Sequence, residues 1–432
     1  MEYLPSLVLV FSFLILLFVG VPVAWSIAIS SLLTMMTSIP MLPSLTTVSQ
    51  RMATGLDSFA LLAIPFFVLS GQLMNKGGIA HRLIDFAKTL VGSLPGGLAL
   101  INVIAAMLMG AIAGSAMASA SAMGSILGPE MEKEGYSREF GAAVNITSST
   151  TGLVIPPSNV LIVYSLASGG VSIAALFLAG YIPGILTGLF LMIVASFWAK
   201  KKGYKVGKKS NLKDVVKTFV RAFPSLLLLL VVIGGIVTGI FTATEASAIA
   251  VLYTLVLGFL YKEIKVKDLH GILLESCGTT AIVMLLIGAS MSMSWVMSFE
   301  NIPQSISSVL LTVSNNPIII LLIINLMLLF VGIFMDMTPA VLIFTPIFLP
   351  IITELGMSPI QFGIIMVLNL SIGLCTPPVG SVLFVGVGVA NTTIEKVIKP
   401  LLPLFLAMIF SLFLVTYFSE LSLWLPRLFG LL

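Results

Sequence analysis

The chain alternates long apolar runs with short polar segments along its whole length. A helix needs about 20 apolar residues to cross the hydrocarbon layer of a membrane. By this measure the apolar runs predict ten membrane-spanning segments, at about residues 5–20, 22–39, 58–75, 139–170, 173–199, 222–241, 246–261, 271–299, 359–390 and 401–425. Two further apolar stretches, at about 98–131 and 317–353, are interrupted midway by small or polar residues. Each interrupted stretch is either two full crossings or one re-entrant hairpin.

The composition requires lipid rather than water as the solvent for most of the surface. Of 432 residues, 58% are hydrophobic and 9% are charged, and the mean hydropathy is +1.16. A typical soluble domain carries about 25% charged residues, and a soluble fold of this length could not hide so much apolar surface. These values exclude a soluble enzyme, a nucleic-acid-binding protein and a disordered chain. They predict an all-α polytopic membrane protein.

Basic residues indicate the orientation, because Lys and Arg prefer cytoplasmic loops. The longest basic segment, residues 200–217 with Arg221, is therefore placed inside the cell. When crossings are counted outward from it, with both interrupted stretches as hairpins, Arg51 and Arg427 alone among the basic residues fall outside. One hairpin then opens toward the cytoplasm and the other toward the outside. Two full crossings in place of each hairpin would leave every loop on the same side of the membrane.

An offset of 221 residues brings two halves of the chain into register. It aligns a Gly-x-x-x-Pro-Pro segment at 152–157 with the same pattern at 373–378, and further Pro, Gly and Ser positions follow the same offset. Together with the charge count, the offset predicts an inverted repeat, which is typical of secondary transporters. The predicted units are residues 1–199, a cytoplasmic basic linker at 200–217, and residues 218–432.

Two predicted spans carry helix-breaking residues at membrane depth. The first, 139–170, contains Gly152 and the Pro156-Pro157 pair, and the second, 359–390, contains the matching residues. Proline cannot donate a backbone hydrogen bond and glycine allows unusual backbone angles, so both helices should unwind there. In lipid, an unwound backbone is tolerated only inside protein or beside a cavity. Its free carbonyls favour small cations, and the helix N terminus that follows attracts anions.

The interruptions of the two hairpins carry further candidate ligands. The first tip, around residues 110–119, is rich in Gly, Ala and Ser, and the second, around 332–340, contains Asp336. A carboxylate at membrane depth is costly and needs a partner. One such partner would be a sodium ion bound by Asp336, Thr338 and carbonyls of the second broken helix. The alternative is that the Asp side chain is protonated or hydrogen-bonded. The offset places Ser115 opposite Asp336, where it is either a ligand or part of tight packing.

At these residues the chain resembles the large membrane subunit of TRAP transporters, the DctM-like family. The matching segments are Leu-Ala-Ile-Pro-Phe-Phe (62–67), Gly-Leu-Val-Ile-Pro-Pro-Ser (152–158), Phe-Met-Asp-Met-Thr-Pro (334–339) and Gly-Leu-Cys-Thr-Pro-Pro-Val-Gly (373–380). The resemblance implies sodium-coupled import of an organic acid, of the C4-dicarboxylate or sialic acid type, across the bacterial inner membrane. It also implies an elevator-type mechanism, a separate small four-helix membrane subunit, and a periplasmic binding protein that delivers the substrate.

The same resemblance assigns roles to individual residues. One sodium site would use Ser115 with the backbone around 149–152, and the other would use the second tip and the second broken helix. The expected sodium-binding residues are Ser115, Ser149, Gly152, Asp336, Thr338, Gly373 and Thr376. The expected substrate contacts are Ser158, Asn159 and Ser381. Apart from sodium as the coupling ion, no metal or cofactor is expected, and no residue is expected to be catalytic.

Three other functions fit parts of the sequence. A stand-alone sodium/divalent-anion symporter of similar architecture would need no binding protein. An intramembrane enzyme would need a base–nucleophile pair or metal ligands at membrane depth, but His81 and His270 lie near segment ends. A structural membrane scaffold has no need of duplicated unwound segments. Cys277 and Cys375 lie in apolar runs and predict no disulfide framework.

Overall fold

The structure is a computed structural model that describes residues 4–205, 207, 211–314 and 316–432. Lys208 and Lys209 of the predicted linker lie outside these residues. The described part of the chain forms twenty α-helices and no β-strand. Eight helical segments in it are long and apolar enough to cross a membrane. The predicted all-helical polytopic membrane fold is confirmed at this level.

Ten helices precede the basic segment, and a 3-10 turn at Phe59–Leu62 leads into the fourth. They are α1 (Leu4–Phe18), α2 (Val23–Met35), α3 (Met41–Gly55), α4 (Ala63–Lys76), α5 (Ile79–Val91), α6 (Gly97–Ala113), α7 (Ala116–Lys133), α8 (Arg138–Thr151), α9 (Asn159–Ala167) and α10 (Ile173–Lys202). The first interrupted stretch is thus a helical hairpin, α6–α7, and α8 and α9 are the two parts of the first broken helix.

Ten more helices follow the basic segment. They are α11 (Leu212–Val237), α12 (Ala243–Leu260), α13 (Val266–Phe299), α14 (Ile302–Val313), α15 (Pro317–Phe334), α16 (Met337–Glu354), α17 (Pro359–Gly373), α18 (Ser381–Val389), α19 (Ile394–Tyr417) and α20 (Glu420–Leu428). The second interrupted stretch is the hairpin α15–α16, and α17 and α18 are the two parts of the second broken helix.

Some helices depart from the predicted spans where the chain is polar. α3, α5 and α14 were absent from the prediction because their sequences lack a long apolar run. The predicted span 401–425 is wrong in its limits, since α19 begins at Ile394 and ends at Tyr417, and α20 is a separate short helix. Lys396 and Lys399 interrupt the apolar run in the first turns of α19, but a helix accommodates such side chains.

The helices pack in two groups. The hairpin bundle comprises α6–α10 and α15–α20, and the flanking helices are α1–α5 and α11–α14. Within the hairpin bundle the two halves of the chain interleave, because α7 packs on α18, α9 on α16, and α8 on α19. Among the flanking helices, α4 packs on α12, and α2 and α3 pack on α13. The two groups meet where α5 contacts α6 and where α13 contacts α16.

Small residues and buried hydroxyl groups allow this interleaving. Gly363 of α17 lies against the Tyr164 ring of α9, where a Cβ would stand 2.5 Å from a ring carbon. The Tyr164 hydroxyl donates a hydrogen bond to the Pro359 carbonyl at 2.6 Å. Thr187 of α10 and Ser411 of α19 share a buried hydrogen bond at 2.6 Å. Each contact joins residues from different halves of the chain, so the hairpin bundle requires both halves to form.

Candidate functional site

The first broken helix is interrupted between α8 and α9. Gly152 ends α8 against Gly110 of α6, so closely that a Cβ added at Gly152 would stand 2.3 Å from the Gly110 Cα. The Ser158 hydroxyl donates a hydrogen bond to the Leu153 carbonyl across the interruption, at 2.6 Å. Ser158 is almost fully buried. A side-chain hydroxyl therefore closes this break from within.

The second broken helix is interrupted between α17 and α18. A Cβ added at Gly373 would stand 2.5 Å from the backbone of Gly332 on α15, which repeats the close approach seen in the first half. The Leu374 carbonyl accepts hydrogen bonds from the backbone N–H groups of Val382 (3.2 Å) and Leu383 (3.3 Å). Backbone amides, and not a side chain, therefore close this break.

Both interruptions predicted from the sequence are present. Each break contains a cis Pro-Pro peptide bond, Pro156–Pro157 in the first and Pro377–Pro378 in the second. The breaks also contact each other, because the Thr150 hydroxyl lies 3.6 Å from the Cys375 sulfur in a fully buried position. The first unwound segment is enclosed in protein, as a non-helical backbone at membrane depth requires, whereas Pro378 and Val379 of the second are exposed.

The first hairpin tip is a tight turn between α6 and α7. Gly114 ends α6 with a φ of +62°, a conformation that favours glycine. Ser115 is the N-cap residue of α7, and its hydroxyl accepts a hydrogen bond from the Ala118 N–H at 3.3 Å. A Cβ added at Gly114 would stand 2.7 Å from the side-chain nitrogen of Asn159. The first tip therefore touches the start of α9.

The second hairpin tip places a carboxylate at the start of a helix. Asp336 is the N-cap residue of α16 and has an extended backbone. Its side chain is exposed, makes no capping hydrogen bond, and forms no ion pair with any residue that the structure describes. The carboxylate at this tip therefore has no ionic partner among the described residues.

A cavity of about 80 Å³ brings the two tips and the two breaks together. Four of the sequence-predicted site residues line its wall: Ser115, Asp336, Thr338 and Ser381. The Ser381 hydroxyl is buried there without a hydrogen-bond partner among the described residues. Leu153 and Leu374, the residues whose carbonyls close the breaks, lie in the same wall. Residues far apart in the sequence thus form one site.

Helix termini give this site its electrostatic character. α7, α9, α16 and α18 all begin at the cavity, which their first residues line. The N terminus of a helix carries partial positive charge and offers free N–H groups, so it attracts anions. α8 and α17 end at the adjoining breaks, where the terminal carbonyls carry the opposite polarity. The arrangement can bind a small cation beside the Asp336 carboxylate and an anion at the helix N termini.

The other sequence-predicted site residues do not line the cavity. Ser149 is fully buried in α8, and its hydroxyl has no partner among the described residues. The Thr376 hydroxyl donates to the Ile372 carbonyl at 2.8 Å. Asn159 contacts the first tip at Gly114. Gly152 and Gly373 hold the breaks against the hairpins. The Ser158 hydroxyl donates its hydrogen bond to the Leu153 carbonyl.

The sequence reasoning missed a buried polar network behind the second break. The Asn369 side chain donates to the side-chain oxygen of Asn325 at 2.8 Å, and Asn325 donates to the Thr416 hydroxyl at 3.1 Å. Gln361 donates to the carbonyls of Val415 and Thr416, both at 3.1 Å. Polar side chains in three apolar helices were the available signal, because buried amides need partners. The network ties α15, α17 and α19 together.

Comparison with known families identifies the chain. Residues 10–421 match the family model described as the tripartite ATP-independent periplasmic transporter, DctM component. The chain belongs to this TRAP transporter family. The resemblance expected from the motifs is thereby confirmed, and the chain is a transporter permease and not an enzyme.

Individual relatives agree with this assignment. The uncharacterized protein YgiK of Salmonella typhimurium is 56% identical over 99% of both chains. The sialic acid TRAP transporter large permease protein SiaM of Vibrio cholerae is 38% identical, over 97% of this chain and 98% of its own. The C4-dicarboxylate TRAP transporter large permease protein DctM of Pseudomonas aeruginosa is 40% identical, over 87% of this chain and 88% of its own.

A solved transporter structure shares the fold. The YdaH transporter of Alcanivorax borkumensis superposes with a TM-score of 0.67, over 89% of this chain and 90% of that chain. Its sequence identity is 13%, so the likeness concerns the fold alone.

Proposed function

We propose that this TRAP permease subunit imports an organic acid across the bacterial inner membrane and couples import to sodium entry. The observation that carries the proposal is the single cavity in which two hairpin tips and two helix breaks meet around the unpaired Asp336 carboxylate. Hard cations prefer oxygen ligands, and the polar side chains that line the cavity, those of Ser115, Asp336, Thr338 and Ser381, all offer oxygen atoms. A membrane potential of 100 mV contributes about 2.3 kcal/mol for each sodium ion that enters.

Two sodium sites follow from the two halves of the site. The second would use Asp336 and Thr338, which line the cavity, with backbone oxygens around Gly373 and Thr376. The first would use Ser115 with the backbone from 149 to 152, where the Ser149 hydroxyl is buried without a partner among the described residues. The free hydroxyl and the free carboxylate are the groups that a bound ion would satisfy.

The proposed substrate is a carboxylate of the C4-dicarboxylate or sialic acid type, as the names of two relatives indicate. The helix N termini of α9 and α18, with Ser158, Asn159 and Ser381 beside them, would face its negative charge. The cavity of about 80 Å³ is far smaller than the ~300–1,000 Å³ of typical ligand pockets. Substrate binding therefore requires the hairpin tips to separate from the breaks.

An inverted repeat would account for the paired geometry. α7 and α16 begin and end 221 residues apart, and so do the N-caps of α8 and α17, Ser137 and Ser358. We assign residues 1–199 and 218–432 to the two repeats and residues 200–217 to the linker. In an elevator mechanism the hairpin bundle would move against the flanking helices. α10, α19 and α20 would move with it, since they pack on the broken helices.

The partners follow from the family. The family description names a tripartite transporter, and we propose that this chain acts with a small four-helix membrane subunit and a periplasmic substrate-binding protein. The charge distribution supports an inner-membrane orientation with the basic segment in the cytoplasm. The alternative is a stand-alone sodium/divalent-anion symporter. The tripartite family description argues against it, because such a symporter needs no separate binding protein.

Reconstitution separates these possibilities. The chain is placed in proteoliposomes with and without its small subunit and binding protein, and uptake of succinate and of N-acetylneuraminate is measured. We expect uptake of one of them to need all three proteins and an inward sodium gradient. Uptake without the binding protein would favour the stand-alone symporter. Uptake that persists after the sodium gradient is collapsed would refute sodium coupling.

A further inference from the structure

The hairpins and broken helices carry almost no charge near the tip cavity. Residues 89–129 and 140–199 contain no Asp, Glu, Lys, Arg or His, and residues 301–394 contain two charged side chains, Asp336 and Glu354. Glu354 is the exposed last residue of α16. At a rise of 1.5 Å per residue, the charged residues at the remote ends of α7, α8 and α16 lie about 18 Å or more along the helix from the cavity. Asp336 is therefore the single charged side chain that these elements place beside it.

The wall of the tip cavity offers hydroxyl groups and a carboxylate but no described cation. Its polar side chains belong to Ser115, Asp336, Thr338 and Ser381, and its other residues are glycine, alanine or apolar. Arg51 of the flanking helix α3 stacks on an aromatic ring of α13 and is not part of this wall. Since no described side chain of the wall can form an ion pair with a substrate carboxylate, backbone N–H groups and hydroxyl groups have to bind it.

The N terminus of α9 has free backbone N–H groups. The N–H groups of Asn159, Val160 and Leu161, the first three residues of α9, make no hydrogen bond with any residue that the structure describes. Val160 lies in the wall of the cavity. Free N–H groups at a helix N terminus, together with its partial positive charge, form a binding site for one carboxylate.

The N terminus of α18 is already occupied by a carbonyl of the chain. The N–H groups of Val382 and Leu383 donate to the Leu374 carbonyl, at 3.2 Å and 3.3 Å. Of the first three residues of α18, Ser381 alone keeps a backbone N–H without a partner among the described residues. The two broken helices are therefore unequal, because α9 can receive a carboxylate at its N terminus and α18 has one N–H group left for it.

The helix N termini of the hairpins are also less suited to an anion. At α7 the Ser115 hydroxyl accepts the Ala118 N–H, at 3.3 Å. At α16 the third residue is Pro339, which has no N–H, and the Asp336 carboxylate stands at the N-cap and repels a second anion. Among the described helices that begin at the cavity, α9 is thus the one that keeps its first three N–H groups free.

The charge of the loaded site indicates the same number of carboxylates. The function proposed above places two sodium ions beside the single charge of Asp336, which leaves one positive charge unbalanced. One substrate carboxylate neutralises it, whereas two would leave a net negative charge at membrane depth, where a charge is costly. Helix dipoles orient these ions but add no net charge.

We propose that this permease selects monocarboxylates over dicarboxylates. The single carboxylate of the substrate binds the N terminus of α9, and the uncharged body of the acid lies toward α18. There the buried Ser381 hydroxyl, which has no partner among the described residues, receives a hydroxyl group of the substrate. The inference rests on the proposed function, and it narrows the two substrate types named there to the one with a single carboxylate.

The first test uses the unaltered chain and matched pairs of acids. Succinate is paired with succinamate, and galactarate with galactonate, so that each pair differs by one carboxylate; N-acetylneuraminate is added as a larger monocarboxylate. Thermal unfolding of the purified chain is followed in sodium chloride and in choline chloride, because a ligand that binds the folded state raises the unfolding midpoint. We expect a monocarboxylate to raise the midpoint in sodium, at a concentration about tenfold below that of its dicarboxylate partner.

The outcomes of this test separate the inference from the proposed function. A dicarboxylate that acts in sodium at the same or a lower concentration than its partner would overturn the inference and leave sodium-coupled transport of an organic acid standing. A monocarboxylate that acts equally in sodium and in choline would refute sodium coupling and leave the selection for one carboxylate standing. A midpoint that none of the acids raises would count against both.

The second test removes one N–H group from the N terminus of α9. Asn159→Pro is tolerated by the backbone, since Ser158 before it is extended, with φ −121° and ψ 120°, and proline suits the first position of a helix. Asn159→Ala is the matched control, because it loses the same side chain and keeps the N–H group. We expect Asn159→Pro to weaken binding of the monocarboxylate about tenfold more than Asn159→Ala, as for a hydrogen bond to a charged group. Equal losses would overturn the assignment of the carboxylate to α9.

The third test adds the cation that the wall lacks. Met117 lines the cavity and is 40% exposed, so a longer polar side chain has room there. Met117→Lys should raise the affinity for succinate relative to succinamate about tenfold above the ratio in Met117→Gln, because the added charge attracts the second carboxylate. An unchanged ratio would show that the missing cation is not what excludes dicarboxylates, and would overturn the inference. Unfolding midpoints without any acid confirm that both variants are folded.

Discussion

The two hairpin tips occupy equivalent positions and carry different chemistry. At the first tip the N-cap residue of α7 is Ser115, whose hydroxyl caps its own helix. At the second tip the N-cap residue of α16 is Asp336, whose carboxylate makes no capping hydrogen bond. The N-cap position at the start of the second hairpin helix is repeated, whereas the turn before it differs and the charge is present once. The comparison indicates that the fold fixes where a ligand binds and that individual side chains decide how strongly each half binds it.

The two breaks show the same division. Gly152 and Gly373 each pack within van der Waals distance of a hairpin glycine, so the close approach is common to both halves. The carbonyl of Leu153 is held by the Ser158 side chain, and the carbonyl of Leu374 is held by backbone amides. The first break thus depends on one side chain that can be removed, and the second does not.

Asp336→Asn should give the largest effect. The substitution keeps the size of the side chain and removes the only tip charge, so the charge-assisted contact to sodium, about 1.5–3 kcal/mol, is lost. In reconstituted uptake the sodium concentration for half-maximal rate should rise about tenfold to a hundredfold. Ser115→Ala is the matched variant and should shift it less. Equal shifts in the two variants would contradict the asymmetry of the tips.

Gly152→Ala and Gly373→Ala should affect both halves alike. The added Cβ atoms would stand 2.3 Å and 2.5 Å from hairpin backbone atoms, and overpacking of this kind costs about 1–3 kcal/mol. Thermal unfolding of the purified chain in detergent should begin several degrees lower in both variants. Gly388→Ala, where a Cβ meets nothing within 4 Å, is the control. An unchanged midpoint in either variant would show that the contact is not tight.

Ser158→Ala should give a smaller effect that is confined to the first break. The substitution removes the hydroxyl that donates a hydrogen bond to the buried Leu153 carbonyl. The loss lowers the free energy of unfolding by about 1 kcal/mol. The residue that matches Ser158 in the second half is the exposed Val379, and Val379→Ala should leave the unfolding midpoint almost unchanged. A larger loss from Val379→Ala would reverse the comparison.

Apolar length and chain-breaking residues were sufficient to predict most of the fold. The hairpins, the two breaks and their spacing follow from Gly and Pro in apolar runs, because these residues act locally. The residues of one hairpin tip could be matched to those of the other from the 221-residue offset alone. α3, α5 and α14 escaped because short amphipathic helices have no membrane-length signal, and α19 was misplaced because Lys396 and Lys399 lie inside it.

What the sequence could not supply is contact between distant elements. Gly110 and Gly332 hold the breaks in place, but nothing local distinguishes them from other glycines of apolar helices. α5 packs on α6 and on α11 through tertiary contacts that no local pattern marks. The Ser158 hydroxyl was expected to face substrate, and only the folded chain shows that it donates to Leu153.

The most direct test of the account is the amount of ²²Na⁺ bound at equilibrium by the purified chain. The central claim is that both tips contribute to ion binding around one cavity and that Asp336 contributes the charge. Relative to the unaltered chain, Asp336→Asn should lose more bound sodium than Ser115→Ala, and the chain with both substitutions should retain almost none. Sodium binding that is the same in all four chains would contradict the account.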